Sequence, residues 1–347
     1  ICSMSRKCNN IFFAFGIVAI LIMALSFETD WQVVGNMLSK MGILFPLIVL
    51  LWVFIYLLNT CSWRKIIADG KTPKVPFLQL YKMTVAGFAL NYATPLGLMG
   101  GEPYRIMALS PYVGKKKAAS SVILYVMMHI FSHFCFWLTS IFIYFALFFV
   151  GMERYTMNTL TAILLLVVAI IFIAICVVFQ RGFKYGFVVS VLGFVKKLPF
   201  ARRWAANFEQ KHIDNLRKID EQIGELHGNR RGAFWISLLL EYVARFVGCI
   251  EYWAIMKVLL PDVTYLDSVM LVAFSSLFSN LMFFMPMQLG AREGGMAIAA
   301  QGMSMPGSFG LYTSLVTRLR ELIWITIGVV LMKIGNKKSD SYEGSTD

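Results

Sequence analysis

Charged side chains interrupt several stretches of the sequence that are otherwise apolar. Arginine offers forked donors that suit a phosphate, whereas glutamate can contact a cationic group or carry a proton. Each would cost about 2.5–3.5 kcal/mol at the centre of an isolated membrane helix, so such residues suggest a function by default. The set comprises Glu102, Arg105, Glu241, Arg245, Glu251, Arg292, Glu293, Arg318, Arg320 and Glu321.

Two of these charges have a simpler interpretation. Glu241 and Arg245 are one helical turn apart, so they can neutralise each other as a structural ion pair, which is the interpretation that we favour. Glu102, Arg292 and Glu293 instead follow places where Pro and Gly interrupt an apolar segment, and for them we favour a function.

Composition places these residues in a membrane. The chain has 347 residues, of which 58% are hydrophobic and 15% charged, with a mean hydropathy of +0.68. A soluble domain averages about 45–50% apolar and about 25% charged residues, so a soluble enzyme and a disordered chain are excluded. Runs such as 11–27 do not alternate apolar with polar residues, which excludes a barrel. We expect one polytopic helical domain over 1–336 and a disordered tail over 337–347.

Six full spans are predicted, and their flanks predict the orientation. Most of the 32 Lys and Arg residues lie in 1–10, 60–82, 102–117, 180–232 and 333–347, so the positive-inside rule places those regions and both termini in the cytoplasm. The predicted spans are 11–27, 42–59, 118–149, 159–179, 233–260 and 309–334.

Two further apolar segments, 77–104 and 268–302, are broken in the middle. The first break reads Asn91-Tyr-Ala-Thr-Pro95-Leu-Gly97-Leu-Met-Gly100-Gly101-Glu102, and the second reads Pro286-Met-Gln-Leu-Gly290-Ala-Arg292-Glu293. Pro removes a backbone donor and clashes with the preceding turn, so a continuous helix is not expected. The flanking charges predict that 77–104 enters from the cytoplasm and 268–302 from outside, each as a re-entrant hairpin.

The two breaks also form an internal repeat, because their Pro, Leu and Glu residues coincide at one offset. Paired interruptions in two inverted halves are the best sequence indication of a transporter's binding site. A half-helix that begins after a break presents free N–H groups and partial positive charge, which favours a phosphate. The predicted substrate-binding residues are Asn91, Pro95, Gly100, Gly101, Glu102, Arg105, Pro286, Gly290, Arg292, Glu293 and Arg318.

Other features of the sequence indicate no catalytic chemistry. His129 and His133 are one turn apart, but Ile130 stands where a zinc protease needs Glu, so we predict interhelical hydrogen bonds and no metal. Neither a phosphate-binding loop nor a nucleophile elbow is present, and we expect no cofactor and no nucleic acid. The polar segment 181–231 reads as an amphipathic surface helix or, equally well, as a solvated connector. The cysteines are expected to form no disulfides.

On these motifs the chain resembles the lysylphosphatidylglycerol synthase transmembrane region, also called the flippase-like domain family, which includes the membrane half of the bacterial multiple peptide resistance factor. The matching pieces run from Asn91 to Arg105 and from Pro286 to Gly294, with Arg318 in the last helix. Where many relatives carry an acidic residue and Arg after the first hairpin, this chain has Tyr125 and Val126. The identity of the lipid headgroup is therefore left open by the resemblance.

The resemblance implies a bacterial inner-membrane protein that moves an anionic, aminoacylated or polyprenyl-linked lipid between leaflets. Arg105, Arg292 and Arg318 would then contact a phosphate, while Glu102 and Glu293 would contact a cationic headgroup or carry protons. The resistance factor's soluble aminoacyl-transferring domain is not in this sequence, so we expect no lysylphosphatidylglycerol synthesis by this chain alone. Two alternatives stay open: a membrane-embedded transferase acting on a lipid phosphate, and a non-transporting partner of a glycosyltransferase. A second copy of the chain or a partner synthase is also compatible with the sequence.

Overall fold

The computed structural model describes residues 31–68, 75–93, 100–185, 230–282 and 290–333, together with isolated positions between 186 and 229. Every regular element in these residues is a helix. The predicted first span, most of the polar segment 181–231 and the tail lie outside them. In chain order the helices are α1 (Trp31–Met41), α2 (Leu44–Ile67), α3 (Phe77–Ala93), α4 (Gly101–Val113), α5 (Lys115–Phe149), α6 (Thr159–Tyr185), α7 (Arg231–Leu259), α8 (Tyr265–Leu281), α9 (Ala291–Gly302) and α10 (Gly307–Lys333).

Four of these helices, α2, α5, α6 and α7, are long and apolar enough to cross a membrane. They coincide with four of the predicted spans, so the protein is a multi-pass membrane protein. α6 has the highest mean hydropathy of the four, 3.6. It leaves large apolar side chains such as Leu160, Ile170 and Val178 exposed, as expected of a helix that faces lipid.

The last predicted span corresponds to α10, whose 27 residues give a length of about 40 Å. It is less apolar than the four spans because it carries Arg318, Arg320 and Glu321, all of which are buried inside the helix packing. Burial of three charges on one helix requires partners from the neighbouring helices.

The two broken segments form the pairs α3–α4 and α8–α9. The turns of both pairs, 94–99 and 283–289, lie outside the described residues. α4 and α9 have 13 and 12 residues, which is about 20 Å or less and shorter than the hydrocarbon core of about 30 Å. The second arm of the first pair continues to Val113, beyond the predicted limit of 104, with Pro111 inside its last turn.

Small residues allow these arms to approach their neighbours closely. A Cβ added at Gly101 would stand 2.0 Å from the Gly87 carbonyl oxygen, so α4 crosses α3 at backbone contact. One added at Gly310 would stand 2.2 Å from the Met296 carbonyl oxygen, which places α10 equally close to α9. Ala89 of α3 faces Gly328 of α10, where an added Cβ would be 2.5 Å away. The two pairs are therefore packed around α10.

A buried carboxylate anchors the start of α8 to the loop between α5 and α6. Asp267 is fully buried and accepts hydrogen bonds from Arg154 Nη1 at 3.0 Å, from Tyr155 Oη at 2.5 Å and from the backbone N–H of Thr264 at 2.8 Å. Burial, together with this carboxylate, raises the pKa of Tyr155 well above its usual range. The second broken segment thus begins at a fixed point.

The cysteines within the described residues are free thiols. Cys61, Cys135 and Cys176 are partly buried, and Cys249 is fully buried. Cys2 and Cys8 lie outside the described residues.

Candidate functional site

The first cluster of polar residues lies where α3 ends and α4 begins. The first N–H groups of a helix have no partner within it, and the side chain of Asn91 supplies one from the opposite arm. The Gly101 N–H donates to Asn91 Oδ1 at 2.6 Å, and Asn91 Nδ2 donates to Glu102 Oε1 at 3.0 Å. The amide of Asn91 thus joins the two arms and orients the Glu102 carboxylate.

Arg105 completes this cluster one turn further along α4. Its Nη1 donates to Glu102 Oε1 at 3.2 Å, and its Nη2 lies 3.4 Å from the carbonyl oxygen of Thr84 in α3. The guanidinium carbon is 4.6 Å from the ring centroid of Phe88 and 5.3 Å from that of Tyr125. Aromatic faces attract a cation electrostatically, so they stabilise the buried Arg105 charge.

The second cluster begins with the start of α9. Gly290 has a φ of +77°, a conformation that glycine adopts without strain, and its N–H donates to Glu293 Oε2 at 2.8 Å. The other carboxylate oxygen, Oε1, accepts from Arg318 Nε at 3.0 Å and from Ser314 Oγ at 3.2 Å. Glu293 therefore caps its own helix and at the same time ties it to α10.

Arg292, the residue before Glu293, makes a separate set of contacts with α10 and α7. Its Nη1 donates to Glu321 Oε1, and its Nη2 donates to Tyr252 Oη at 2.7 Å and lies 3.4 Å from Thr317 Oγ1. Glu321 Oε2 is 3.5 Å from Arg318 Nη1, so one carboxylate is shared by two arginines. This network joins α9, α10 and α7.

A third ion pair lies beside this network. Arg320 donates to both oxygens of Glu251 at 2.9 Å, and Trp52 Nε1 donates to Glu251 Oε2 at 2.8 Å. The guanidinium carbon of Arg320 lies 3.7 Å from the Trp52 ring centroid. Both charged side chains are at most 1% exposed, so this pair is a fully desolvated link between α7, α10 and α2.

The predicted structural pair of Glu241 with Arg245 does not form in this way. Glu241 Oε2 contacts His129 Nδ1 at 2.8 Å, across the α5–α7 interface. Arg245 Nε donates to Ser132 Oγ at 2.8 Å, and its Nη2 donates to the His129 carbonyl oxygen at 2.6 Å. Glu241 and Arg245 therefore both contact α5 rather than each other. The interhelical hydrogen bond predicted for His129 is confirmed. The one predicted for His133 is not found among the described residues, where its Nδ1 is buried without a partner and its ring stacks on Trp137 of the same helix at 5.3 Å.

The arginines that were predicted to contact phosphate are each held by a carboxylate in this structure. Arg105 pairs with Glu102, Arg292 with Glu321, and Arg318 with both Glu293 and Glu321. Among these carboxylates, Glu102 and Glu293 keep exposed side-chain surface, 18% and 30%, while Glu321 is 1% exposed. The most accessible charged side chain of each cluster is therefore a carboxylate, and the arginine that it contacts is almost fully buried.

Tyr92 is next in sequence to Asn91 of the first cluster and lies close to charges of the second. Its hydroxyl interacts electrostatically with Glu321, Arg320 and Arg292, and Arg245 interacts with the same hydroxyl. Since Tyr92 directly follows Asn91 at the end of α3, the end of this helix is adjacent to both polar networks.

The structure divides the predicted site residues into groups. Asn91, Gly101, Glu102 and Arg105 form the first cluster, next to Gly100, which precedes α4. Gly290, Arg292, Glu293 and Arg318 belong to the second cluster. Pro95 and Pro286 lie outside the described residues.

Sequence reasoning left several partners out of the site. Glu321, Glu251 and Arg320 were recognised as charges at membrane depth, but nothing in their spacing tells which residue on another helix each contacts. Tyr252 and Ser314 carry no local signal, because polar residues are common in membrane helices. The described residues contain no group of three or more His, Cys, Asp or Glu side chains that could hold a metal ion.

Comparison with known proteins gives one match. The sequence model described as Lysylphosphatidylglycerol synthase TM region matches residues 11–328, which is most of the chain. No curated protein and no solved structure matches the chain significantly.

Proposed function

Because the chain belongs to the family of the lysylphosphatidylglycerol synthase transmembrane region, we propose that it moves a lipid with a charged headgroup between the two leaflets of a membrane. One observation carries the proposal. Each break of the two helix pairs holds a partly exposed carboxylate directly beside an arginine, Glu102 with Arg105 and Glu293 with Arg318. Such a pair can contact both charges of a headgroup that combines an amine with a phosphate.

The contact proceeds by exchange of partners. A headgroup amine that reaches Glu293 competes with Arg318 for the carboxylate, and the guanidinium can then turn part of its fork of donors to the lipid phosphate. Ionic contacts are thereby exchanged without leaving a buried charge unpaired, which avoids the main cost of a charge at this depth. Glu102 and Arg105 can do the same at the first break, where Glu102 Oε2 is enclosed and accepts no hydrogen bond from the described residues.

We propose an architecture of six crossings and two re-entrant hairpins of opposite orientation. The short second arms α4 and α9 support it, because neither is long enough to span the hydrocarbon core alone. The positive charges of the flanking regions support an orientation with both termini in the cytoplasm. The bacterial inner-membrane location that we propose rests on the family alone.

The proposed partner is a membrane phospholipid or a polyprenyl-linked lipid, and neither a nucleic acid nor a cofactor. The protein is proposed to act as a translocator and not as an enzyme. Its substrate would then come from a separate synthase or glycosyltransferase, and a second copy of this chain is the other partner that we propose.

The test is reconstitution of the full chain into liposomes that contain fluorescent phosphatidylethanolamine labelled on an acyl chain, so that the headgroup keeps both its amine and its phosphate. Dithionite destroys the label in the outer leaflet only, so movement appears as quenching beyond the outer-leaflet fraction. We expect such quenching with the wild-type protein and strongly reduced quenching with Glu293→Gln. Ile163→Ala, which alters an exposed apolar residue of α6, serves as the matched control and should behave as wild type.

Two results would contradict the proposal. Quenching in wild-type liposomes that equals the protein-free level would exclude movement of this lipid class. Formation of a modified lipid from an added donor nucleotide, measured by mass spectrometry of the same liposomes, would favour the transferase.

A further inference from the structure

Another group of polar side chains, separate from both clusters, lies beside the first cluster at the interface of α5 and α7. It contains His129 and His133 of α5 and Glu241 and Arg245 of α7. Neither histidine has a part in headgroup contact as proposed above. A titratable pair such as His129 with Glu241 at membrane depth is characteristic of proton relays.

We propose that the His129–Glu241 pair binds and releases one proton and couples that proton to the occupancy of the first cluster by a lipid phosphate. The inference rests on the proposed function. It adds a proton as the ion whose binding sets the direction of lipid movement. His129 Nδ1 and Glu241 Oε2 are 2.8 Å apart, and a single proton lies between them in that hydrogen bond. A second proton can enter at Nε2 of the same ring, since both nitrogens of a charged imidazole carry hydrogen.

The charges that face the pair decide what such a proton does. On α4 they are Arg105 and Glu102, and on α7 they are Glu241 itself and Arg245. With a neutral imidazole the two arginines and two glutamates cancel, and the site has no net charge. A proton on His129 leaves one uncompensated positive charge beside the first cluster.

The remaining titratable groups around the pair are uncharged at neutral pH. Tyr125 and His133 share α5 with His129, their ring centroids lying 6.4 Å and 5.4 Å from its ring. Tyr92 of α3 interacts electrostatically with Arg245, and so does Cys135 of α5. The charge around the pair therefore comes from the two arginines and two glutamates alone, and a bound proton adds to their sum.

Several buried polar atoms near the His129–Glu241 pair have no hydrogen-bond partner among the described residues. Buried atoms that have no partner among the described residues include Glu241 Oε1, His133 Nδ1, Tyr125 Oη, Arg105 Nε and Glu102 Oε2. Buried polar atoms are nearly always satisfied, by water where protein gives no partner. Tyr125 Oη and His133 Nδ1 belong to rings that lie beside the His129 ring, so a water or a headgroup oxygen that satisfies these atoms would also give the proton a path.

The coupling follows from reciprocity. A phosphate that neutralises the added positive charge binds more tightly to the protonated site, so binding of the phosphate must in turn increase proton binding by the same factor. Couplings of this kind are usually about 5-fold to 150-fold in affinity. The affinity for an anionic headgroup should therefore rise as the pH falls through the range in which His129 titrates.

The experiment titrates the full-length protein in detergent with monomeric short-chain phosphatidylglycerol and measures the heat in two buffers of different ionisation enthalpy, which counts the protons exchanged. For the wild type we expect proton uptake on binding and an affinity about tenfold higher at pH 5.5 than at pH 8. His129→Gln can still donate to Glu241, so it should keep the fold and the high-pH affinity but lose both the uptake and the pH dependence. Glu241→Gln should lose them as well. His227→Gln removes a histidine from the polar segment 181–231 and serves as the control that should match wild type.

Each outcome decides between the ideas. Binding and flipping that do not depend on pH, or a pH dependence that His129→Gln retains, would overturn the proton site while leaving the proposed function intact. Absence of any binding and flipping by the wild type would overturn both. Melting temperatures of the variants, measured alongside, separate loss of the proton from loss of the fold.

Discussion

The two broken segments have the same sequence pattern, but their charged residues have partners in different places. In the first, Glu102 is held by Asn91 and Arg105, both of which belong to the α3–α4 pair itself. In the second, Glu293 is held by Arg318 of α10, and Arg292 by Glu321 of the same helix. The charges of the first pair thus form their ion pair within that pair, whereas the charges of the second pair bind α9 to α10.

This difference suggests a division of labour within the proposed translocator. Charges that are satisfied inside one hairpin can shift with that hairpin, while charges shared among three helices resist any relative movement. Substitutions at the fully buried Glu251–Arg320 pair should therefore cost stability first, and substitutions at the partly exposed Glu102 should cost transport first.

The largest effect should come from the fully buried pair beside the second cluster. Glu251→Gln leaves the Arg320 charge without its bidentate partner, and breaking a buried pair typically costs about 3–5 kcal/mol. We expect a markedly lower melting temperature in detergent. The double variant Glu251→Gln with Arg320→Gln removes both charges and should recover part of the loss. If the single variant melted like wild type, the second region would not be the rigid one.

Backbone contact within the first pair should give the next largest effect. Gly101→Ala places a methyl group 2.0 Å from the Gly87 carbonyl oxygen, so the arms must separate, at about 1–3 kcal/mol. Gly294→Ala is the matched change early in the second arm of the other pair, where an added Cβ meets nothing within 4 Å. Thermal unfolding should show destabilisation for Gly101→Ala alone. Equal effects at both positions would contradict the described packing of α3 against α4.

Glu102→Gln should separate transport from stability. The carboxamide can still accept from Asn91, and the lost ion pair is partly exposed, so the expected change in stability is about 1 kcal/mol or less. Headgroup movement in the dithionite assay should fall at least about tenfold, because a charge-assisted contact to the amine is lost. Retention of full flipping with unchanged melting would remove Glu102 from the site.

The smallest effect is expected where the second segment begins. Arg154→Gln removes one of several donors to Asp267, while Tyr155 and Thr264 still satisfy that carboxylate. Since Arg154 is 26% exposed, the cost should stay within about 1 kcal/mol. Asp267→Asn, which weakens every one of these contacts, should lower the melting temperature further. The opposite ranking would indicate that Arg154 alone fixes α8.

Much of this organisation could be predicted from local pattern. Apolar runs of sufficient length gave four spans, and Pro with Gly marked the interrupted segments, because both signals depend only on neighbouring residues. The partners of the charges could not be predicted. Glu241 and Arg245 are ideally spaced for each other along α7, yet each contacts α5 instead, and Glu321 serves arginines on two helices. Such choices depend on which helices become neighbours, and spacing within one helix carries no information on that.

The charges of α10 also bear on how the chain enters the membrane during synthesis. Alone, a helix with Arg318, Arg320 and Glu321 near its middle would be a poor substrate for the insertion machinery. Its partners Glu251 and Glu293 lie earlier in the chain, on α7 and α9, and are translated before it. α10 should therefore enter the membrane only together with α7 and α9, so its insertion depends on the correct placement of those two helices.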